Sequence, residues 1–341
     1  MIGLSQTVTT PRNTSYDFLR VAAAFAVVWV HVSTGVVFFN PTLDNPQWWV
    51  GDFADAFGRW CVPIFIMLSG ALLLPKSRKL SPREFLVSYM PRILWPAFFW
   101  STFYLLFSYS VAQNIDEIGF FLALMGGKPF FHLWYFYLAI ALYALTPVLQ
   151  KFYDQLSWRK LVIVAAFCFG LSTVASAPEL GGGLFVAFTA TAYLSYFLLG
   201  AALAERPPLN SIQQFYAVSI AALCGVIIAG CAAALMPHYG SAGWEFMFSY
   251  ANIFVAVMGV CIFWAGISIK AYPHFSKLGP YTLGIYGIHP LWVMALGNFG
   301  ISGFSFGPLI GIPLTAVLVF LLSLASVFIL AQIKFLRPVL M

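Results

Sequence analysis

The chain has 341 residues, of which 8% are charged and 61% hydrophobic, with a mean hydropathy of +0.88. An ordinary soluble domain carries about a quarter charged residues, so that class is excluded and the solvent is lipid. The net charge of +6 follows the loops, as shown below, and carries no nucleic-acid signal.

In lipid every backbone amide needs an internal partner, which leaves helices or a closed barrel. The apolar runs are continuous and match helices rather than alternating strands of about ten residues. An all-α, polytopic transmembrane helix bundle follows. Runs of roughly 20 apolar residues predict about ten spans, at 16–39, 50–74, 88–110, 132–150, 161–177, 184–204, 213–236, 247–269, 278–298 and 308–333. Polar stretches between them stay under about 25 residues, short of a domain, so 1–341 reads as a single integral-membrane domain with 1–15 as its N-terminal tail. A cleavable signal peptide is not expected, because the first apolar run is too long for one and lacks a small-residue cleavage pattern.

Orientation follows from the positive-inside rule. With a cytoplasmic N-terminus, alternate loops place Arg12, Lys76, Arg78, Lys79, Arg83, Lys151, Arg159, Lys160, Arg206, Lys270, Lys277, Lys334 and Arg337 inside and leave Lys128 outside. Both termini are then cytoplasmic and the number of spans is even.

Ionisable residues within a span cost roughly 2.5–3.5 kcal/mol and are functional candidates. The first helix, YDFLRVAAAFAVVWVHVSTG, carries Arg20 and His31. Eleven residues bring the two side chains to within about 20° of one face, about 16 Å apart along the axis. Arg20 reads as a snorkelling cation at the inner interface or as a ligand contact. His31 lies too deep to snorkel; it is suited to general-base work, or to a hydrogen bond between helices.

The second helix brings Asp52, Asp55 and Arg59 ahead of WCVPIFIMLSGALLLPKSRK. Asp55 and Arg59, four apart, can neutralise each other, with Arg59 at about the depth of His31, 12–14 Å in. The pair is either structural or a device that orients His31 or stabilises an oxyanion. Ser69 and Gly70 read as small residues that let helices approach. Next come Lys76, Arg78, Lys79 and Arg83, then Arg92 in MPRILWP. Such a basic loop is a topology signal, an anionic-lipid contact or a phosphate site; Arg92, within a helix start, has the better claim to phosphate.

The fourth span opens GGKPFFHLWYFYLAIALY, with Lys128 and His132 among aromatics that suit an interfacial belt. In KLGPYTLGIYGIHPLWV, His289 lies about 18 Å above Lys277, near the level of His31, and Pro290 frees a carbonyl beside it. It reads as a satisfied core histidine or as a lining residue. The five cysteines fall in apolar spans without CxxC or Cys/His spacing, so they read as packing residues, with neither a disulfide framework nor a metal site.

Taken together these segments resemble the acyltransferase 3 family of multi-span O-acyltransferases that modify surface polysaccharides. DFLR followed by His31 is similar to its R-x10-H signature, WCVPIFIMLSG to its second-helix motif, the basic loop to Arg92 to its Arg-rich motif, and HLWYFYLAIALY and LGIYGIHP to its fourth- and ninth-helix motifs. One departure is Tyr89 in YMPR, where many members have the first arginine of R-x-x-R; Arg83 or Lys79 would then supply the second phosphate contact. The chain also shows none of the periplasmic esterase-like domain that some relatives carry.

The resemblance implies an acetyl-CoA donor bound from the cytoplasm, with Arg20 and Arg92 on its phosphates; the 16 Å between Arg20 and His31 is of the order of a pantetheine arm. It further implies that His31 deprotonates an acceptor hydroxyl, that Asp55 or Arg59 tunes the site and His289 lines it, and that no metal takes part. A covalent acyl-histidine is left open. His132, Trp134 and Tyr135 of the fourth-helix motif are assigned to the acceptor, an envelope glycan or lipid-linked saccharide. The implied setting is the inner membrane, in contact with lipid, with self-association left open and no nucleic acid. Two other classes compete: a transporter or flippase, against which stands the lack of similarity between the two halves of the chain, and a non-catalytic partner in a polymer-export complex.

Overall fold

The computed structural model describes residues 13–39, 42–75, 80–112, 129–180, 185–271 and 273–341. Among them there is no strand, and the helices run α1 Thr14–Phe39, α2 Pro46–Ala56, α3 Cys61–Leu73, α4 Pro82–Tyr89, α5 Pro91–Ala112, α6 Trp134–Tyr153, α7 Trp158–Ala175, α8 Phe185–Ala204, α9 Ser211–Tyr239, α10 Ser241–Phe248, α11 Ile253–Ile267, α12 His274–Leu278, α13 Thr282–Asn298, α14 Pro308–Leu330 and α15 Arg337–Leu340.

Among the described residues each of the ten expected segments lies mainly on helix, with breaks inside 50–74, 88–110 and 247–269, and six stretches are long and apolar enough to cross a membrane: Thr14–Phe39, Pro46–Leu73, Trp158–Ala175, Ser211–Tyr239, Ser241–Ile267 and Pro308–Leu330. The rest fall short for local reasons. α13 has only 17 residues; α5 and α6 are long enough, but their Trp, Tyr and Pro residues dilute the hydropathy.

Two local expectations are corrected. The second span is not one helix: the chain turns at 57–60 between α2 and α3. Pro63 has no amide to give the Arg59 carbonyl, and at Gly58 a Cβ would come within 2.6 Å of the Val30 side chain, so α1 passes close to this turn. Arg83, expected in a loop, sits in the first turn of α4, which Ser81 and Glu84 close with a reciprocal capping box.

At the heart of the bundle α3 packs against α1, α8 and α11. A Cβ on Gly70 would stand 1.8 Å from the Phe197 carbonyl oxygen, and one on Gly200 would stand 2.1 Å from that of Met67. Two backbones therefore touch through paired glycines, the small-residue contact expected for Gly70. Gly70→Ala should lower the thermal midpoint in detergent by several degrees, as overpacking by about 1–3 kcal/mol does. Gly170→Ala, with nothing within 4 Å of its Cβ, should leave the midpoint in place.

Side-chain ties define two ends. At one, the Ser15 hydroxyl donates to the Ile269 carbonyl, the Leu209 amide to Ser268, and Gln150 to the Leu73 carbonyl. The connections that carry Arg206 and Lys270 meet at this end through Leu209 and Ser268. At the other, Trp244 donates to Asp52 (2.8 Å), the Ile253 amide donates to Thr173, and Phe38 packs on Trp244. α1 runs from the first end to the second, carrying Arg20 and His31 with it.

Candidate active site

A cavity of about 400 Å³ lies at the basic end, lined by Arg20, Ser69, Tyr89, Arg92, Tyr135, Tyr143 and Tyr286 among others. Arg20 is half-buried, and its Nη1 donates to Asp17 Oδ1 at 2.9 Å. Asp17 is fully buried and stands three residues before Arg20, so the carboxylate aims the guanidinium along the face of α1. Arg92 lies with its guanidinium carbon 4.8 Å from the Tyr89 ring centroid. Tyr89, which stands where an arginine was expected, thus positions the neighbouring cation instead of adding one. Arg83 is exposed and outside this lining, so it is not brought to the cavity. Lys79 lies outside the described residues. Ser69 donates to the Phe65 carbonyl (2.9 Å) and faces the cavity; the close helix contact falls to Gly70 alone.

The cavity rises to Tyr286, one turn below His289. There three imidazoles meet. His31 stacks against His289, with centroids 5.1 Å apart and planes at 24°, and touches Phe131 edge-on at 5.0 Å. His132 meets His289 edge-on at 5.3 Å. His289 Nδ1 is 2.8 Å from the Tyr286 carbonyl and 3.2 Å from that of Ile285. Carbonyls only accept, so Nδ1 carries the proton and Nε2, buried and unpartnered, is an acceptor. His132 is 2% exposed with neither ring nitrogen hydrogen-bonded, while its carbonyl accepts from the Tyr286 hydroxyl. It therefore sits in the core and not in an interfacial belt, held by the short 129–133 turn between the rings of Tyr104 and Tyr286. Leaving such buried polar atoms unpaired costs about 1–3 kcal/mol each.

Beside the histidines, Asp55 takes Arg59 bidentately, Nε to Oδ1 at 2.7 Å and Nη2 to Oδ2 at 2.9 Å, and accepts from the Thr34 hydroxyl. Thr34 is three residues beyond His31 and shares its face. Both Asp55 oxygens are thus engaged by Arg59 and Thr34, while the rings touching His31 are His289 and Phe131. The pair reaches the His31 face of α1 through Thr34. Trp134 and Tyr135, neighbours on α6, part company. Tyr135 faces the basic-end cavity, and Trp134 turns toward the other end.

The family model described as an acyltransferase domain matches residues 13–332. The chain belongs to the acyltransferase 3 family. No curated protein and no solved structure matches it. Its several apolar helices and its membership make it a multi-pass membrane acyltransferase.

Sequence reasoning missed four residues here. Asp17 and Thr34 each stand three positions from a residue already singled out, and that spacing was the available signal. Phe131 and Tyr286 carried none, since aromatic residues abound in this chain and only packing selects these two.

Proposed function

We propose that the protein transfers an acetyl group from cytoplasmic acetyl-CoA to a hydroxyl of an envelope glycan presented at the opposite face of the inner membrane. The observation carrying this reading is the layout along α1: a cavity edged by Arg20 and Arg92 below, and His31 in its histidine cluster about three turns above. Guanidinium groups suit the phosphates of the coenzyme, and the cavity between them and Tyr286 suits the pantetheine arm, which brings the thioester beneath His31.

His31 takes the proton of the acceptor hydroxyl as its oxygen attacks the thioester carbonyl. The new C–O bond forms, the tetrahedral intermediate collapses with cleavage of the C–S bond, and the proton passes from the imidazolium to the departing thiolate to give free CoA. His289 cannot donate to the oxyanion, because its one proton is committed to backbone carbonyls; we assign that role to Arg59. His289 therefore holds the His31 ring by stacking.

The test uses purified protein in lipid nanodiscs with radiolabelled acetyl-CoA and a glycan-lipid extract. Label should move to the glycan fraction with stoichiometric CoA release. Absence of both acetyl-CoA binding and turnover would move the transporter reading to the front. Arg20→Ala should weaken acetyl-CoA binding about tenfold, as loss of a charge-assisted phosphate contact does, with a smaller effect on turnover at saturating donor; calorimetry reads the first and CoA release the second.

A further inference from the structure

A second cavity, of about 490 Å³, opens at the end of the bundle away from Arg20 and is lined by Arg59, Trp134, Tyr193, Trp244, Phe248 and Tyr250, with Glu245 at its exposed side. It shares no lining residue with the basic-end cavity. The divide falls at adjacent positions on α6, where the rings of Trp134 and Tyr135 are 6.4 Å apart and face opposite cavities. The Trp134 ring lies 5.9 Å from Tyr193 and 5.8 Å from Tyr250, at 36° and 31°. Across the cavity Trp244 stacks on Phe248 at 4.0 Å.

Arg59 joins this chamber to the histidines. Its guanidinium carbon lies 5.3, 4.9 and 5.5 Å from the centroids of Trp244, Phe248 and Tyr250, while Asp55 grips its other edge and reaches Thr34 on the His31 face of α1. A ligand in the chamber therefore meets a fixed donor whose charge is already balanced. Glu245 adds a negative charge and no further cation lines the cavity among the described residues. That charge balance disfavours an anionic occupant. Broad aromatic faces with few, fixed polar groups favour a flat molecule that has C–H faces and hydroxyl edges.

We infer that this chamber is the acceptor subsite and seats one neutral pyranose ring, its face against Trp134 and Tyr250 and one hydroxyl edge toward Arg59 and His31. The inference rests on the reading of the protein as an acyltransferase acting on sugar hydroxyls, and adds the location and charge preference of the acceptor. On this reading the donor enters through one cavity and the acceptor through the other, the two cavities parting at Trp134 and Tyr135, and transfer takes place at His31.

Two measurements test it in nanodiscs. With saturating acetyl-CoA and methyl β-D-glucopyranoside as acceptor, Trp134→Leu and Tyr193→Leu should raise the acceptor KM about tenfold and leave the acetyl-CoA KM within about twofold. Methyl β-D-glucuronide should be the poorer acceptor. An unchanged acceptor KM in both variants, or a preference for the glucuronide, overturns the subsite. Photolabelling with a diazirine derivative of the same glucoside needs no turnover; saturable label on 241–250, competed by unmodified glucoside, is expected. Saturable label there without CoA release would sink the transfer reading and keep a sugar site, whereas CoA release with label elsewhere, or with label competed only by lipid, would sink the subsite and keep the transfer reading.

Discussion

A His31→Ala protein is expected to bind acetyl-CoA as the wild type does and to release CoA about 100- to 10,000-fold more slowly, the range that a positioned general base contributes. The separation of binding from turnover follows from the geometry. His31 is not among the residues that line the cavity edged by Arg20 and Arg92, so its loss leaves the donor contacts intact. Its ring is held by stacking on His289 and by the edge of Phe131, and those neighbours do not depend on it for hydrogen bonds. The thermal midpoint should therefore fall by only a few degrees, which tells lost chemistry from lost fold. His289→Ala should slow turnover less, because it removes a support for the base and not the base itself. Turnover by His31→Ala within about tenfold of wild type would remove His31 from the mechanism.

The Asp55→Ala protein should lose about 3–5 kcal/mol of stability, the cost of breaking a buried ion pair from one side. Asp55 is fully buried and the Arg59 side chain only 11% exposed. Alanine would strand the guanidinium among Trp244, Phe248 and Tyr250 and release the Thr34 hydroxyl. Replacing both partners, as Asp55→Leu with Arg59→Met, should restore much of the midpoint while turnover stays low, because the structural cost disappears and the oxyanion donor does not return. The measurements are thermal unfolding followed by thiol labelling of buried Cys61, which touches Tyr250, a ring that packs on Arg59, and CoA release. If Asp55→Ala unfolds at the wild-type temperature, the pair is not the buried clamp described here.

Much of the site was legible as a one-dimensional pattern. Arg20 and His31 share a face because both lie on one uninterrupted helix, where an eleven-residue spacing fixes their geometry before any packing occurs. Asp55 and Arg59 pair as spacing suggests even though the helix breaks between them, since the intervening turn keeps the chain coiled. What misled was depth. His132 stands in an aromatic-rich segment that reads as an interfacial belt, yet a turn carries it inward onto His289. Arg83 belongs to a run of cations that reads as one phosphate site, but α4 holds it out in solvent while Arg92 reaches the cavity.

The sequence by itself determined the solvent, the helical class, the positions of the apolar segments and the face of α1 that Arg20 and His31 share, because those properties depend on composition and on local periodicity. Tertiary structure alone decided that His31, His132 and His289, spread over more than 250 positions, meet in one cluster, and that Trp134 and Tyr135 look into different cavities. It also decided that Asp17, Thr34 and Tyr286 support the site. Such contacts join residues distant in the chain, and which aromatic ring or carboxylate becomes the partner is settled by how closely the helices can approach. In this bundle that approach is set by glycine against backbone at Gly70 and Gly200, which a pattern of hydropathy does not encode.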